Sequence, residues 1–312
     1  MSERVDVDRR GFLQCMAWAG TGLLWSVAGG VPSSRRIGAA PAEAADASPP
    51  GGFSFAQISD THIGFKGEAN RDVMATFQAA IARIRALDPK PAFLIHTGDL
   101  THAQKPGAFD IVRQSLQSAG VDRVFYIPGE HDVYADGGAE FFEHFPGSRP
   151  GRGGQSFDYR GVHFVGLINV LGYKAGGLGS LGAEQLEWLE RDVAGLSAST
   201  PIVVFAHVPL WAVYPQWGWV TDDAAQALGY LRRFGSVTVL NGHIHQILQK
   251  VEGNVTFHTA RSTAFPQPAP GAAPSPGPMK VPVDTLREVL GIREVTYARG
   301  RDPLAVVDAS LA

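Results

Sequence analysis

A chain of 312 residues, 45% hydrophobic and 18% charged, has ordinary globular composition and is long enough to bury a large core in one domain or two. Its net charge of −3 and isoelectric point near 6.4 give no electrostatic reason to expect a nucleic-acid polymer or an anionic membrane as a partner. Bulk composition therefore excludes little else, and local motifs must indicate the function.

Residues 1–47 are predicted to be an export signal and the start of a linker. Arg9 and Arg10 precede Phe12 and Leu13, and a moderately apolar stretch continues to Val31. This pattern resembles a twin-arginine (Tat) signal. Glycines interrupt the stretch, which favours cleavage over a retained anchor, and A-x-A sites follow at 40–42, 42–44 and 45–47. We therefore expect a periplasmic or otherwise exported protein that meets the Tat machinery and contacts the membrane only transiently.

Beyond an Ala/Pro/Gly/Ser-rich linker at 32–52, apolar runs of strand length alternate with helical spacing of apolar residues. The predicted strands are 53–59, 91–97, 122–127, 156–160, 162–168, 201–206, 236–241, 246–251 and 255–259. The predicted helices are 71–87, 108–119, 181–193 and 222–234. The alternation favours an α/β core with parallel pairing, and a hairpin at 156–168 makes the sheets mixed.

The C-terminal part has a different composition. Residues 266–282 are too rich in proline for a helix or a central strand and are predicted to be extended across a surface. A short helix near 284–290 and strands at 293–297 and 304–308 follow. Two outcomes stay open: this tail wraps the main domain, or it covers a site. The predicted organisation is a main domain over 48–265 and an extension over 266–312.

Histidine and acidic residues gather just after the predicted strands. They are Asp60, His62, Asp99, Glu130, His131, Asp132, His207, His243 and His245. One such residue is usually a cap or turn residue, but five clusters at strand ends indicate a shared site at the carboxyl edge of a sheet. Asp, Glu and neutral His are ligands for Mn²⁺, Zn²⁺ and Fe²⁺, and two ions sharing a carboxylate can grip both reacting oxygens of a phosphoester.

The motifs DTH, GDL, GEHD, His207 and GHIH, in this order, resemble those of the calcineurin-like metallophosphoesterase superfamily over residues 53–263. Their spacing is most similar to that of the class III cyclic nucleotide phosphodiesterases. The resemblance implies an α/β fold, a four-layer α/β/β/α sandwich with two mixed sheets. It implies two bound metal ions, Mn²⁺ and/or iron with Zn²⁺ as an option. The implied ligands are Asp60, His62 and His245 for the first ion, Glu130, His207 and His243 for the second, and Asp99 for both.

The resemblance also implies catalytic roles. His131 would protonate the leaving oxygen or stabilise its charge, Asp132 would orient His131, and a metal-bridging hydroxide would attack phosphorus. Glu130 departs from the family pattern, which has asparagine at this position. With Asp60 and Asp99 it makes three carboxylates, so two divalent ions and a hydroxide would leave the cluster formally neutral. We expect tighter metal retention, or tolerance of a trivalent ion.

Three more residues are candidates for substrate contacts. His102 follows the GDL motif, Trp211 begins an aromatic-rich stretch that ends at Trp219, and Arg261 follows a strand. Each has an alternative: a place behind the ligands or on the surface for His102, loop packing or a homodimer contact for the aromatic residues, and a surface salt bridge for Arg261.

The predicted function is a dinuclear metal-dependent phosphoesterase that hydrolyses a small phosphodiester, such as a cyclic or linear nucleotide. A phosphomonoesterase or pyrophosphatase would use the same site. An alternative of another class is a metal-binding or ligand-sensing protein with little turnover. The His131–Asp132 pair favours the enzyme, because metal binding alone does not need it.

Overall fold

The computed structural model describes residues 22–28, 31–37, 52–148, 155–173 and 178–312, without side chains at 22–28, 31–37 and 301–303. The predicted twin-arginine pair and the three cleavage sites lie outside the described residues. An N-terminal unit, Met1–Asp46, contains the antiparallel strands β1 (Gly22–Ala28) and β2 (Val31–Ile37). β1 lies within the apolar stretch of the predicted signal.

The second unit, Ala47–Ala312, contains the other elements. Its strands are β3 (Phe53–Ile58), β4 (Leu94–Thr97), β5 (Val124–Ile127), β6 (Gln155–Tyr159), β7 (Val162–Leu167), β8 (Ile202–Ala206), β9 (Val237–Asn241), β10 (Gln249–Glu252), β11 (Val255–Thr259), β12 (Gly291–Ala298) and β13 (Arg301–Ser310). Its helices are α1 (Val73–Arg85), α2 (Ala108–Gln117), α3 (Ala139–His144), α4 (Ala183–Ala194), α5 (Ala224–Leu231) and α6 (Leu286–Val289). None of these described helices has the length and apolar content to cross a membrane.

Two mixed sheets form the unit. The five-stranded sheet has the order β13-β12-β3-β4-β5, in which β3, β4 and β5 are parallel and the other pairs are antiparallel. The six-stranded sheet has the order β10-β11-β9-β8-β7-β6, with antiparallel pairs only at its two edges. The predicted fold class, an α/β sandwich of two mixed sheets, is confirmed.

Apolar faces explain how the layers pack. Helix α1 begins at Asp72, whose side chain accepts from the Ala75 amide over 2.9 Å, and it buries Phe77 and Ile81 at helical spacing. The sheets meet through aromatic rings, such as Phe55 against Phe164 at 5.4 Å between centroids. A second apolar cluster joins α4 and α5 to the outer face of the six-stranded sheet.

The C-terminal strands belong to the main sheet. β12 lies between β3 and β13, so the chain after the proline-rich stretch completes the five-stranded sheet. The stretch itself forms a loop, Pro266–Met279, closed where the Met279 amide donates to the Pro266 carbonyl over 2.8 Å. We call it the proline loop.

Candidate metal centre

The candidate site lies where the two sheets bring the carboxyl ends of five strands together. β3, β4 and β5 end beside β8 and β9, and hydrogen bonds cross between the sheets there. Gln57 Nε2 donates to the Asn241 carbonyl over 3.3 Å, and His207 Nδ1 donates to the Thr97 carbonyl over 2.7 Å. The loops that follow these strands deliver their side chains to one place.

Five of the seven predicted ligand residues have left-handed backbone angles. They are Asp60 (φ 53°), His62 (41°), Asp99 (53°), His243 (70°) and His245 (53°). This conformation costs about 1–2 kcal/mol for a residue with a side chain, although Asp and His tolerate it better than most. Such strain persists only where the surrounding structure imposes it, and its concentration here is typical of a functional site.

Two glycines in the motifs are required by close approach. A Cβ atom at Gly129 would clash with Asp99, and one at Gly242 would clash with Ser59 and lie 2.8 Å from Asp60 Oδ2. The backbone before Glu130 and His243 can therefore approach the carboxylates only because these residues are glycines.

The first cluster contains Asp60, His62 and His245, all buried. His245 Nε2 lies 3.4 Å from Asp60 Oδ1 and 3.2 Å from His62 Nε2. His245 Nδ1 donates to the Phe265 carbonyl over 2.6 Å, so Nε2 is the nitrogen that faces the cluster.

The second cluster contains Glu130, His207 and His243, also buried. His207 Nε2 lies 2.9 Å from Glu130 Oε2, and His243 Nδ1 lies 3.1 Å from Glu130 Oε1. Because His207 Nδ1 donates to the Thr97 carbonyl, Nε2 is the nitrogen that faces the Glu130 carboxylate.

Asp99 lies between the two clusters. Its Oδ2 is 3.5 Å from His62 Nε2 and 3.5 Å from His207 Nε2. Its Oδ1 accepts from the His131 amide over 3.0 Å. One carboxylate oxygen therefore faces a histidine of each cluster.

The donor set fits two metal ions. Glu130 Oε2, His207 Nε2 and His243 Nδ1 are buried and have no hydrogen-bond partner within the described residues. Lone pairs that face one another without protons between them are costly unless a cation lies among them. Carboxylate oxygens with imidazole nitrogens are a donor set for Mn²⁺, Fe²⁺ or Zn²⁺.

The pKa shifts of two ligands favour the protonation states that coordination requires, and that of a third shows where positive charge is stabilised. Burial alone would raise the pKa of Glu130, but His243 and His207 outweigh it and hold that pKa well below its usual range. Burial, together with the neighbouring His245 and His131, lowers the pKa of His62 well below its usual value. Glu130 is thus ionised and His62 neutral, as metal ligands must be. Burial lowers the pKa of His207, but the carboxylates of Asp99 and Glu130 outweigh it and hold that pKa well above its usual value, so the space between these groups favours a proton or a metal cation.

His131 lies beside Asp99 and lines the cavity above the clusters. Its Nδ1 donates to the His102 carbonyl over 2.8 Å, which leaves Nε2 as the nitrogen free to meet a substrate. Burial lowers the pKa of His131, but the carboxylates of Asp99 and Glu130 more than compensate, so the net pKa is raised.

The contacts of Asp132 differ from the prediction that it orients His131. Asp132 is fully buried and accepts hydrogen bonds from the amides of Leu100, Thr101 and Gly129 over 2.8–3.0 Å. The short 3-10 turn Glu130–Asp132 turns its side chain away from the cavity and toward the GDLT loop. Asp132 therefore fixes the loop after Asp99, and the His102 carbonyl holds the His131 ring.

Of the three residues predicted to contact substrate, His102 lines the cavity and the other two do not. His102 lines the cavity, and its ring stacks on His131 at 4.7 Å. Trp211 instead packs against Phe257 at 5.2 Å, outside the cavity. Arg261 also lies outside it, because its guanidinium donates to the Glu288 carbonyl over 3.0 Å. The alternative of loop packing for Trp211 agrees with this contact, whereas Arg261 makes a hydrogen bond to a backbone carbonyl where a surface salt bridge was the predicted alternative.

The cavity has a volume of about 590 Å³. Its floor contains His62, Asp99, Glu130 and His243, and its walls include Tyr134, Tyr173, Trp217, Trp219 and Pro274–Pro278. Trp217 and Trp219 belong to the aromatic-rich stretch noted in the sequence, whereas Tyr134 and Tyr173 were not predicted as cavity residues. A signal for Tyr134 was its position two residues after GEHD.

Comparison with known proteins agrees with this geometry. Residues 53–247 match the family described as Calcineurin-like phosphoesterase. The chain is 26% identical over 226 residues to a 3',5'-cyclic-nucleotide phosphodiesterase of Nostoc sp., covering 68% of this chain and 79% of that protein. It is 24% identical over 225 residues to the glycerophosphodiester phosphodiesterase GpdQ of Enterobacter lignolyticus, covering 69% of this chain and 78% of that protein.

A solved structure shows the same fold. The crystal structure of a dimetal phosphatase from Danio rerio superposes with a TM-score of 0.58 at 16% identity. The match covers 83% of this chain and 99% of that one.

Proposed function

The chain belongs to the calcineurin-like phosphoesterase family, and we propose that it hydrolyses small phosphodiesters with two metal ions held in the centre described above. It is a hydrolase acting on phosphoester bonds. The observation that carries the proposal is the pair of buried ligand clusters that share Asp99 and contain unpartnered lone pairs.

The residues divide into three groups. Asp60, His62 and His245 would hold one ion, Glu130, His207 and His243 would hold the other, and Asp99 would contact both. When bound, the two ions supply Lewis acidity and a nucleophile from water near neutral pH. The chain has no need of a nucleophilic side chain, and the protein groups position the substrate and move its proton.

His131 is the group that we assign to the leaving oxygen. Its Nδ1 is fixed by the His102 carbonyl, so a proton can be donated only from Nε2. Asp132 supports this arrangement indirectly through the loop that contains Asp99 and His102.

A diester is favoured over a monoester by two observations. Two relatives of the chain are named as diesterases, one for a cyclic nucleotide and one for a glycerophosphodiester. The cavity also has walls on more than one side of the clusters, so an ester with two organic groups can be enclosed.

The test compares bis-p-nitrophenyl phosphate with p-nitrophenyl phosphate, using protein loaded with Mn²⁺. We expect faster hydrolysis of the diester and a loss of activity in the Asp99→Asn variant, which disrupts the shared ligand. If the metal-loaded wild type hydrolysed both esters only at the background rate, the proposal that it is an enzyme would be refuted. A clear preference for the monoester would refute the proposal that it is a diesterase.

We propose Mn²⁺ or iron as the metals, with Zn²⁺ as a further option. Three carboxylates and four imidazoles form a donor set between those preferred by hard and soft ions. Reconstitution with each ion, followed by mass-spectrometric metal analysis and rate measurement, tests this choice. Equal retention and equal rates with Mg²⁺ would contradict it.

We also propose export through the Tat pathway, on the basis of Arg9 and Arg10 before the apolar stretch. In a bacterium with this pathway, we expect the protein in the periplasm. The double substitution Arg9→Lys, Arg10→Lys should keep it in the cytoplasm, because the receptor reads the arginine pair. Equal periplasmic fractions for both proteins would refute the proposal.

A further inference from the structure

The proline loop is a stiff wall of the cavity. Six of its fourteen residues are proline, and Pro274–Pro278 line the cavity. Each proline ring fixes the backbone angle φ, so the loop loses little entropy when a ligand packs against it. The hydrogen bond from Met279 to Pro266 closes the loop at its base.

The loop is anchored to the residues that form the metal centre. Gln267 Nε2 donates to the His243 carbonyl over 3.1 Å. Gln246 Nε2 donates to the Gln267 carbonyl over 3.0 Å, and Lys280 pairs with Glu68 at 2.9 Å just beyond the loop. The proline loop is therefore tied to the GHIH motif at His243 and to Gln246, the residue that follows the motif.

Aromatic rings line the same cavity. The ring of Trp217 is held edge-on by Tyr214 and Trp219, each at 5.0 Å between centroids. Tyr134 contacts His131 at 5.2 Å, and its side chain is left 62% exposed. Tyr173 approaches His243 at 6.4 Å. Aromatic rings beside the acid and beside a ligand therefore have apolar surface available to a substrate.

We propose that the proline loop, Trp217 and Tyr134 form a slot that selects diesters carrying a flat, apolar ring as one organic group. The inference rests on the proposed function, because the slot faces the reacting centre. Aromatic faces and proline rings both stack on flat rings, and stacking on an aromatic side chain is worth roughly tenfold or more in affinity per ring. A small alkyl or polyol group would leave these surfaces uncovered.

The experiment uses two diesters with one leaving group. Phenyl p-nitrophenyl phosphate and methyl p-nitrophenyl phosphate both release p-nitrophenolate and differ only in the group that stays on phosphorus. The ratio of kcat/KM for phenyl over methyl is measured for the wild type and for Trp217→Ala. The intrinsic reactivity of each ester is the same for both proteins, so a change in the ratio reports the slot. We expect Trp217→Ala to lower it by about tenfold.

Two further variants control for folding. Trp211→Ala removes a tryptophan from the same stretch but outside the cavity, and it should leave the ratio unchanged. If Trp217→Ala does not fold, the double variant Pro276→Gly, Pro278→Gly softens the wall and should lower the ratio instead. Metal content and thermal unfolding are measured for every protein.

The outcomes separate the slot from the proposed function. Turnover of both esters with a ratio that no slot variant changes would overturn the slot and leave the diesterase intact. If metal-loaded protein hydrolyses neither ester, the diesterase fails, and calorimetric binding of phenyl phosphate against methyl phosphate tests the slot by itself. Equal affinities for the two would overturn it.

Discussion

Glu130 occupies the position at which the motif resemblance predicts asparagine. Its two oxygens face His207 and His243 at 2.9 and 3.1 Å, so its charge acts directly on the second cluster. We expect Glu130→Asn to weaken retention of one metal ion by about tenfold, a size typical of changes around metal ligands. Metal content after dialysis against a graded chelator measures the effect. Glu187→Gln, at an exposed position of α4, should retain metal like the wild type. Equal retention in Glu130→Asn would contradict the prediction.

His131 gives a prediction that depends on the leaving group. A nucleoside cyclic phosphate has an alkoxide leaving group that needs a proton, whereas p-nitrophenolate leaves without one. We expect His131→Ala to lower kcat by about 10²–10³-fold on the cyclic ester and much less on bis-p-nitrophenyl phosphate. His144→Ala, on α3 away from the clusters, is the control. Equal losses on both substrates, with metal content unchanged, would exclude His131 as the acid.

The identity of the seven ligand candidates could be predicted because Asp, Glu and His at strand ends have few other reasons to recur. The direction of neighbouring side chains could not. His131 and Asp132 are adjacent in sequence, yet His131 lines the cavity while Asp132 is buried against the amides of Leu100 and Thr101. The carbonyl that holds His131 belongs to His102, and backbone acceptors leave no mark in a sequence. The sequence likewise does not show that Trp217 lines the cavity whereas Trp211 packs against Phe257 outside it.

At the scale of elements, a buried histidine joins β6, β7 and α4. His163 Nδ1 lies 2.8 Å from Asp158 and Nε2 lies 2.9 Å from Asp192. Burial lowers the pKa of His163, but the carboxylates of Asp158 and Asp192 raise it by more, so the folded-state pKa lies above the ordinary value. A histidine whose pKa is raised on folding adds to the free energy of unfolding. This contribution is fully present below the pKa of the unfolded chain, about 6.5, and is lost as pH rises through the pKa of the folded protein.

We therefore expect His163→Gln to destabilise the protein by about 2 kcal/mol near pH ~6 and by less near pH ~9. Urea unfolding of both proteins at the two pH values measures this difference. His258→Gln is a contrasting control, because burial beside Arg293 lowers the pKa of His258 to about 3, so the folded protein keeps this ring neutral while the unfolded chain binds a proton near pH ~6. The cost of His258→Gln should therefore grow from pH ~6 to pH ~9, in the opposite direction to that of His163→Gln. A His163→Gln effect that is the same at both pH values would contradict the prediction.

Element types after residue 52 follow from periodicity, but their ends and long-range contacts do not. Strand β10 begins at Gln249 rather than 246, because the Gln246 side chain binds the proline loop and its carbonyl accepts from Thr259. Helix α3 was not predicted, since six residues are too few to show a helical period. The proline-rich composition predicts an extended loop but not the cavity that the loop lines.

At the scale of the whole molecule, the C-terminal strands should be indispensable. β12 pairs with one edge of β3. Its Arg293 donates hydrogen bonds to Asp308 on β13 over 2.9 Å and to Gln57 on β3 over 3.2 Å. Deleting residues 291–312 should remove stability comparable to the total, roughly 5–15 kcal/mol, and abolish cooperative unfolding. Circular dichroism on heating measures this. Deletion of residues 1–47 should leave the melting temperature unchanged, and a cooperative transition after the C-terminal deletion would contradict the prediction.

The left-handed backbone at five of the ligand positions also limits how the centre can change over evolution. Asp60, His62, Asp99, His243 and His245 occupy a conformation that β-branched and most bulky residues avoid, so few substitutions are open there whatever the metal requires. Glu130 and His207 have ordinary backbone angles and carry no such restriction. Position 130 can therefore exchange asparagine for glutamate without a strained backbone, so the charge of the second cluster can change by one unit while the loop keeps its conformation.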